Sequence, residues 1–315
     1  MVNALRIVFF GTPEFAVPSL RALLASRHTV VGVVTQPDRP RGRGQRISDS
    51  PVKLAAAEHH VPVLQPERLR EPAFTSAIAD WAPDLGVVAA YGKLITDDLL
   101  RLPRHGMINV HASLLPKYRG AAPIHRAIID GEPETGVTIM RVVTALDAGG
   151  MFAKTRRPIG PDETSADVER DLAHLGAPLL TRVVEEIVAG TAHEERQDDR
   201  LSTYAPRITR EEGLIDWSRP ASVLHNRVRG LYPWPHAYTF LESGRLIILK
   251  SRALPETTSD PPGTVVAAGR EAIEVATGEG RLALLEVQPE GRRGMRVRDF
   301  LAGRPLSVGS RLTGP

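Results

Sequence analysis

An asparagine and a histidine lie two residues apart near the end of an apolar stretch, INVHASLLP, at residues 108–116. Side chains at positions i and i+2 of a β-strand point to the same face, so Asn109 and His111 are predicted to lie side by side. An Asn amide can hold a carbonyl oxygen as it becomes an oxyanion, and a His can transfer protons near neutral pH. The pair therefore indicates acyl-transfer chemistry, while capping and loop hydrogen bonds are the alternative use for such side chains.

The strand that carries this pair belongs to a series of alternating strands and helices in the first half of the chain. Apolar, β-branched runs predict strands at residues 5–10, 29–35, 62–65, 84–92, 106–113 and 135–143. Helices are predicted at residues 18–26, 50–60, 72–82 and 123–131, the second with Ser50 as its N-cap and Pro51 at its first position. This alternation predicts an α/β fold with a mostly parallel, doubly wound, Rossmann-like sheet. Ligands of such sheets bind beyond the carboxyl ends of the strands, which is where Asn109 and His111 lie.

The character of the sequence changes after about residue 190. Residues 190–207 are polar and lack helical periodicity, which predicts a linker after a catalytic domain at residues 1–189. Short apolar runs separated by the turn signals ESGR, AAGRE and TGEG follow. Their spacing predicts a small C-terminal β-barrel, OB-like, over residues 208–315.

Composition excludes several kinds of site. The chain has no cysteine, which excludes disulfides, thiolate metal sites and a cysteine nucleophile. The segment GTPEF after the first strand does not match the G-x-G-x-x-G pattern, which disfavours a dinucleotide dehydrogenase. No apolar run approaches the ~20 residues of a membrane span, and the first residues do not form a signal peptide. We therefore predict a cytoplasmic protein without a membrane partner, and a monomer because no extra interaction segment is evident.

Two clusters of positive charge stand out although the formal net charge is only +3. The first, DRPRGRGQR at residues 38–46, contains Arg39, Arg41, Arg43 and Arg46. The second is GRRGMRVR at residues 291–298. Arg can contact phosphates with a planar fork and stack on bases, so both clusters are candidate RNA contacts. A solvated, Arg-rich surface is the alternative for each.

A series of motifs in this order resembles the folate-dependent formyltransferases that act on methionyl-tRNA. The most specific are SLLPKYRGAAPIHRAI at 113–128, TGVTIM at 135–140 and LDAG at 146–149. The segments GTPEFAVPSL, TQPDRPRGRGQ, SPVK, VVAAYG and LYPWPHAY extend the resemblance over nearly the whole chain. It implies transfer of a formyl group from 10-formyltetrahydrofolate to the α-amino group of methionine on initiator tRNA, with no metal.

The resemblance also implies roles for particular residues. Asn109, His111 and Asp147 correspond to the family's catalytic residues: the first two would hold the formyl oxygen, and Asp147 would orient His111 and its proton. The folate-contacting segment corresponds to Ser113, Leu114, Leu115 and Pro116. The tRNA contacts correspond to Arg39, Arg41, Arg43 and Arg46, with Arg43 the most favoured.

One departure from the family pattern concerns the Asp147 loop. Family members commonly have Asp-x-Gly-Asp here, whereas this chain has Gly150 in the last position, so the second carboxylate is absent. The alternative for Asp147 is a turn residue ahead of a glycine. Two alternatives to the whole interpretation also stay open: a formyltransferase for a small amine such as an amino sugar nucleotide, and a non-catalytic tRNA-binding protein.

Overall fold

The computed structural model describes residues 4–41, 46–241 and 244–314, which form two compact units. The first unit comprises Met1–Pro123, Thr135–Arg157 and Glu169–Ala205, and the second comprises Ile124–Glu134, Pro158–Val168 and Pro206–Pro315. None of the helices in the described ranges combines the length and apolar character that a membrane crossing requires.

The elements up to residue 189 alternate as the sequence predicts. They are β1 (Arg6–Gly11), α1 (Val17–Leu24), β2 (Thr29–Val34), β3 (Arg39–Arg41), β4 (Arg46–Ser48), α2 (Pro51–Glu58), β5 (Val63–Leu64), α3 (Pro72–Asp80), β6 (Leu85–Ala89), α4 (Asp97–Leu100), β7 (Met107–His111), β8 (Arg119–Gly120), α5 (Pro123–Ile129), β9 (Glu134–Arg141), β10 (Met151–Pro158) and α6 (Ser165–Ala189). Ser50 caps α2 as expected, because its Oγ accepts a hydrogen bond from the backbone N–H of Lys53 at 3.1 Å.

The sheet of the first unit has seven strands in the order β10-β9-β7-β6-β1-β2-β5. The strands β5, β2, β1, β6 and β7 pair in parallel, which confirms the predicted mostly parallel sheet. The central strands β1 and β6 are buried almost throughout, as expected for a sheet that is covered on both faces. Strand β9 runs antiparallel to β7, a direction that an apolar run does not reveal.

Sequence reasoning did not identify β10 or α6. The helix α6 contains Gly176 and Pro178, which weaken a helical pattern. Close packing explains the glycine at position 176, because a Cβ built there would lie 3.0 Å from Cγ1 of Val110 on β7. The small residue thus lets α6 approach the strand that carries Asn109 and His111, on the face opposite to their side chains.

The elements of the C-terminal part form an antiparallel β domain, as predicted. After β11 (Tyr204–Ala205), which belongs to the first unit, they are α7 (Ala221–Gly230), β12 (Ala237–Leu241), β13 (Gly244–Leu254), β14 (Val265–Ala268), β15 (Ile273–Ala276), β16 (Arg281–Pro289), β17 (Met295–Arg296) and α8 (Val297–Gly303). The six-stranded sheet has the order β12-β13-β16-β15-β14, with β17 paired to β16. Thr313 bridges Phe240 on β12, and Arg311 bridges Thr264 just before β14, so the last residues connect both edges of the sheet.

The segment predicted as a linker makes ordered contacts within the first unit as far as residue 205. Glu195 forms an antiparallel bridge with Met151, and β11 pairs in parallel with β8. These hydrogen bonds join residues that are distant in sequence, so local periodicity does not report them. The domain limits at residues 189 and 207 stay predictions.

Candidate active site

The candidate site lies where β7 ends. Asn109 and His111 occupy positions i and i+2 of this strand and therefore share a face, and β9 lies alongside, with Thr138 opposite His111. His111 is buried, with 5% of its surface exposed, whereas Asn109 is partly exposed. Among the described residues, the Asn109 side chain has no hydrogen-bond partner, so its amide is free to bind a ligand.

The His111 ring is fixed on both sides. Its Nε2 lies 2.9 Å from the backbone carbonyl oxygen of Tyr118, and because a carbonyl only accepts, Nε2 carries the hydrogen. Its Nδ1 lies 3.7 Å from Oδ2 of Asp147. The ring is therefore held by the backbone at one nitrogen and faces a carboxylate with the other.

Asp147 does not use its carboxylate to close its own turn. Its φ is +48°, in the left-handed region, which Asp tolerates better than most residues. Its Oδ2 accepts a hydrogen bond from the backbone N–H of Gly120 at 2.8 Å, from a segment distant in sequence. The structure thus brings Asp147 and His111 together across the end of β7.

Three consecutive residues support both of these side chains. Tyr118 provides the carbonyl for His111, Gly120 provides the N–H for Asp147, and Arg119 lies between them. Tyr118 and Arg119 in turn donate their backbone N–H groups to Thr203, at 2.8 Å to Oγ1 and 2.9 Å to the carbonyl oxygen. The segment before residue 205 is therefore part of the framework of the site.

Sequence reasoning missed Gln197, a buried residue of this same segment. Its Nε2 donates hydrogen bonds to the carbonyl oxygens of Asp147, at 2.8 Å, and Gly149, at 2.7 Å. Its Oε1 accepts from Arg119, at 3.0 Å from Nε and 2.8 Å from Nη2. A lone Gln in a polar stretch carries no local signal, so one sequence could not have revealed it.

The absence of a carboxylate at position 150 has a local consequence. A Cβ built on Gly150 would lie 2.4 Å from Cγ of Glu194, whose carboxylate pairs with Arg141 at 3.1 Å. The space beside Gly150 is therefore filled by Glu194, and the Asp147 loop keeps its position without a side chain at residue 150.

The segment predicted to contact folate forms a tight turn directly after β7. The peptide bond between Leu115 and Pro116 is cis. Ser113 and Leu115 are buried, and the Ser113 Oγ donates to the carbonyl of Lys117 at 2.7 Å. The contacts of both side chains are therefore with the protein interior. Leu114 and Pro116 are partly exposed. A ligand would therefore meet this segment through Leu114, Pro116 and the backbone.

Lys154 of β10 holds the same turn from the other side. Its Nζ donates a 2.6 Å hydrogen bond to the carbonyl oxygen of Leu115. Desolvation of this ammonium group lowers the pKa of Lys154 from its ordinary value. The contact places a cation beside the cis peptide bond.

The first Arg cluster lies on a hairpin formed by β3 and β4, which pair antiparallel. The side chains of Arg39, Arg41 and Arg46 and the whole of Arg43 lie outside the described part of the structure, so their contacts stay predictions. The base of the hairpin is held by Lys53, whose Nζ pairs with the carboxylates of Asp38 and Asp49.

A second basic surface lies on the C-terminal unit, in a groove of about 530 Å³ across β13, β16 and β17. Five cationic side chains line it, Lys250, Arg252, Arg270, Arg296 and Arg298, against the two carboxylates of Glu271 and Glu286, so its net charge is positive. All five are exposed, and the last two belong to the second Arg cluster of the sequence. We call this surface the basic groove of the C-terminal unit. It is suited to binding a polyanion.

Comparison with known proteins follows the two parts of the chain. A family model described as formyl transferase matches residues 5–184, and one described as formyl transferase, C-terminal domain, matches residues 207–305. A methionyl-tRNA formyltransferase from Geobacter sulfurreducens is 47% identical over 308 residues, which cover 98% of this chain and 96% of the relative. One from Bacillus subtilis is 47% identical over 305 residues, covering 96% of each chain.

Solved structures share the fold at lower sequence identity. An N-formyltransferase from Helicobacter canadensis, in complex with folinic acid and dTDP-3-aminofucose, has a TM-score of 0.67 at 18% identity and covers 89% of this chain and 98% of its own. HypX from Aquifex aeolicus, in complex with tetrahydrofolic acid, has a TM-score of 0.62 at 16% identity, covering 99% of this chain and 51% of its own.

Proposed function

The chain belongs to the formyl transferase family, and from this premise we propose that it transfers the formyl group of 10-formyltetrahydrofolate to the α-amino group of methionyl-tRNA, with initiator tRNA as the acceptor. The family resemblance predicted from the motifs is thereby confirmed. The observation that carries the proposal is the meeting of Asn109, His111 and Asp147 at the end of β7, in a chain that aligns over its full length with relatives of this activity.

The residues at the site fit a formyl donor. When bound, the folate supplies an activated formyl group. The Asn109 amide, which has no partner in the described part of the chain, can donate to the formyl oxygen as that oxygen gains negative charge. Leu114, Pro116 and the backbone of their turn are proposed to contact the donor.

The nucleophile comes with the second substrate. A free α-amino group titrates at roughly 7.7–8.0, and the ester bond to tRNA lowers this value by electron withdrawal, so much of the amine is neutral. The protein therefore does not need a nucleophilic side chain. It has to orient the amine towards the formyl carbon, and such positioning contributes on the order of several kcal/mol.

We propose that one nitrogen of His111 takes up the proton that the amine loses. The Nε2–H is used by the carbonyl of Tyr118, so Nδ1 is the nitrogen that can accept the proton leaving the amine. The imidazolium that results has both N–H groups directed at oxygens, the Tyr118 carbonyl and the Asp147 carboxylate, and it can return the proton to the folate nitrogen as the bond from that nitrogen to the formyl carbon breaks. The expectation that His111 also helps to hold the formyl oxygen stays a prediction; in this proposal Asn109 binds that oxygen and His111 takes up the proton.

Two basic surfaces support the tRNA part of the proposal. Arg39, Arg41, Arg43 and Arg46 are proposed to contact the acceptor end of the tRNA. The basic groove of the C-terminal unit, with five exposed cations, is suited to the phosphate backbone further along. Such contacts provide affinity that falls as the salt concentration rises.

An assay with defined substrates tests the proposal. Purified protein is incubated with 10-formyltetrahydrofolate and methionine-charged initiator tRNA, and N-formylmethionine is measured after hydrolysis of the ester. Amino sugar nucleotides and free methionine, at the same concentration, serve as competing acceptors. We expect formylation of the charged tRNA alone. Preferential formylation of the small amines would overturn the proposal in favour of the alternative acceptor class.

A further inference from the structure

We propose that Gln197 is a positioning residue for the reaction: its side-chain amide holds the Asp147 turn so that the carboxylate stays beside the His111 ring. Arg119 fixes the orientation of that amide. This inference rests on the proposed function, since it names how the same site is held in its working geometry. It assigns a role in the reaction to the stretch after residue 190, where the sequence predicts only a linker.

Several hydrogen bonds converge on the buried Gln197 side chain. Gln197 has 4% of its surface exposed. Its Nε2 spans the turn from the carbonyl of Asp147 to that of Gly149, at 2.8 and 2.7 Å. Both carbonyls accept, so the group that joins them must carry two hydrogens, as an amide nitrogen does and a carboxylate does not.

Arg119 determines which end of the Gln197 amide faces the turn. Arginine only donates, so its Nε and Nη2 can meet only the oxygen end of Gln197. The nitrogen end is thereby directed at the two carbonyls. Asp199 pairs with the same Nη2 at 2.8 Å and holds the guanidinium in place.

The Asp147 turn needs such a support. Residues 143–146 before Asp147 are exposed, and Leu146 has 44% of its surface in solvent. Asp147 itself has a φ of +48°, a conformation that costs free energy for a residue with a side chain. A strained turn on an exposed loop keeps one geometry only when neighbouring groups fix it: the Gly120 N–H holds the Asp147 carboxylate, and the buried Gln197 amide holds the backbone of the turn.

The position of the carboxylate is what the reaction depends on. Its Oδ2 lies 3.7 Å from Nδ1 of His111, and a displacement of about 1 Å at such a site costs about 10²-fold in rate. The substrates themselves do not contact Gln197 in this account. Its loss should therefore lower kcat and leave the KM values for both substrates nearly unchanged.

The test compares Gln197→Met, Gln197→Glu and Asp147→Asn, alone and combined. Met has a similar length without polar groups, and Glu keeps the oxygen that faces Arg119 but lacks the N–H group. We expect Gln197→Met and Gln197→Glu each to lower kcat by about 10²-fold. In the Asp147→Asn background, Gln197→Met should cost little more, because both changes remove the same contribution.

The matched control is Gln288→Met in the C-terminal unit, where Gln288 donates to a single carbonyl, that of Arg292. It should leave kcat and the KM for 10-formyltetrahydrofolate unchanged. Thermal unfolding of every variant separates loss of folding from loss of activity. If Gln197→Met does not fold, Gln197→Glu, which keeps its pairing with Arg119, carries the comparison.

A second readout does not depend on catalysis. The ¹⁵N chemical shifts of the His111 imidazole, measured without substrates, report the neighbouring carboxylate. We expect Gln197→Met to move them in the same direction as Asp147→Asn, and Gln288→Met to leave them in place. If the wild type does not formylate methionyl-tRNA, the proposed function fails and this measurement still tests Gln197. Unchanged His111 shifts, or losses in kcat that multiply in the double variant, would overturn the inference.

Discussion

The two regions proposed to meet the substrates are built in opposite ways. At the end of β7, His111 is buried and each of its nitrogens faces a fixed oxygen. In the basic groove of the C-terminal unit, all five cations are exposed. A buried, hydrogen-bonded site depends on the position of each atom, whereas an exposed group of charges depends mainly on their sum.

This contrast leads to different expectations for substitutions. A single change at the strand end should lower the rate strongly, and the loss should be insensitive to salt. A single change in either basic surface should weaken tRNA binding modestly and change its salt dependence. The predictions below test this difference, beginning with the largest expected effect.

Replacement of Asn109 by Ala should have the largest effect. The amide is proposed to stabilise the developing charge on the formyl oxygen, a contribution of about 10²–10³ in kcat. Because its side chain has no hydrogen-bond partner among the described residues, the melting temperature should hardly change. Steady-state kinetics and thermal unfolding check both statements. A fall in stability with an unchanged kcat would make Asn109 a structural residue and remove the contrast.

Replacement of Arg119 by Lys should have an intermediate effect. Lys keeps the charge but cannot direct two donors at the Gln197 oxygen as the guanidinium does. Loss of one charge-assisted hydrogen bond, about 1.5 kcal/mol, corresponds to about tenfold in kcat. Arg182→Lys on α6, where the Arg pairs with Glu186 on the surface, is the matched control. Equal kinetics in the Arg119 and Arg182 variants would contradict this account of the site.

Replacement of Lys154 by Met should affect donor binding more than turnover. The variant loses the hydrogen bond to the Leu115 carbonyl, which supports the turn proposed to bind folate. A partly exposed contact of this kind contributes about 1 kcal/mol, so the KM for 10-formyltetrahydrofolate should rise about fivefold. Fluorescence titration with the folate measures this directly. A rise in the KM for tRNA alone would place Lys154 in a different role.

Replacement of Arg43 or Arg298 by Ala should have the smallest effect on rate and a distinct dependence on salt. Each variant should bind charged tRNA more weakly and should reduce the slope of log Kd against log salt concentration by about 1. Arg182→Ala supplies a charge-matched control on a surface without a proposed ligand. A slope equal to that of the wild type would exclude the substituted residue from the tRNA interface.

The sequence predicted the elements of the site better than the contacts between them. The run from Ile108 to His111 was sufficient to predict a strand and the shared face of the Asn-His pair, because the period of a strand is a local property. The cap of α2 by Ser50 was also predictable, because a Ser followed by a Pro is a local signal for the start of a helix. Asp147 was identified only through the family motifs, because no local sequence pattern predicts that it lies close to His111.

The features that the sequence did not reveal depend on non-local hydrogen bonds. Gln197 meets the Asp147 turn from 50 residues away in sequence, and Tyr118 meets Thr203 from 85 residues away. The helix α6 was not predicted because Gly176 and Pro178 weaken the helical pattern of its sequence. In the structure the glycine allows α6 to pack closely against β7. Such residues look like ordinary polar or flexible positions until the chain is folded.

The most direct test of the central claim is the single-turnover rate of formylation by His111→Ala, measured with 10-formyltetrahydrofolate and charged initiator tRNA both bound at saturation. Saturation removes differences in binding, so the rate reports the chemical step. We expect a fall of about 10²-fold relative to the wild type, the lower end of what a proton-transfer group contributes. A single-turnover rate equal to that of the wild type would contradict the assignment of the reaction to the end of β7.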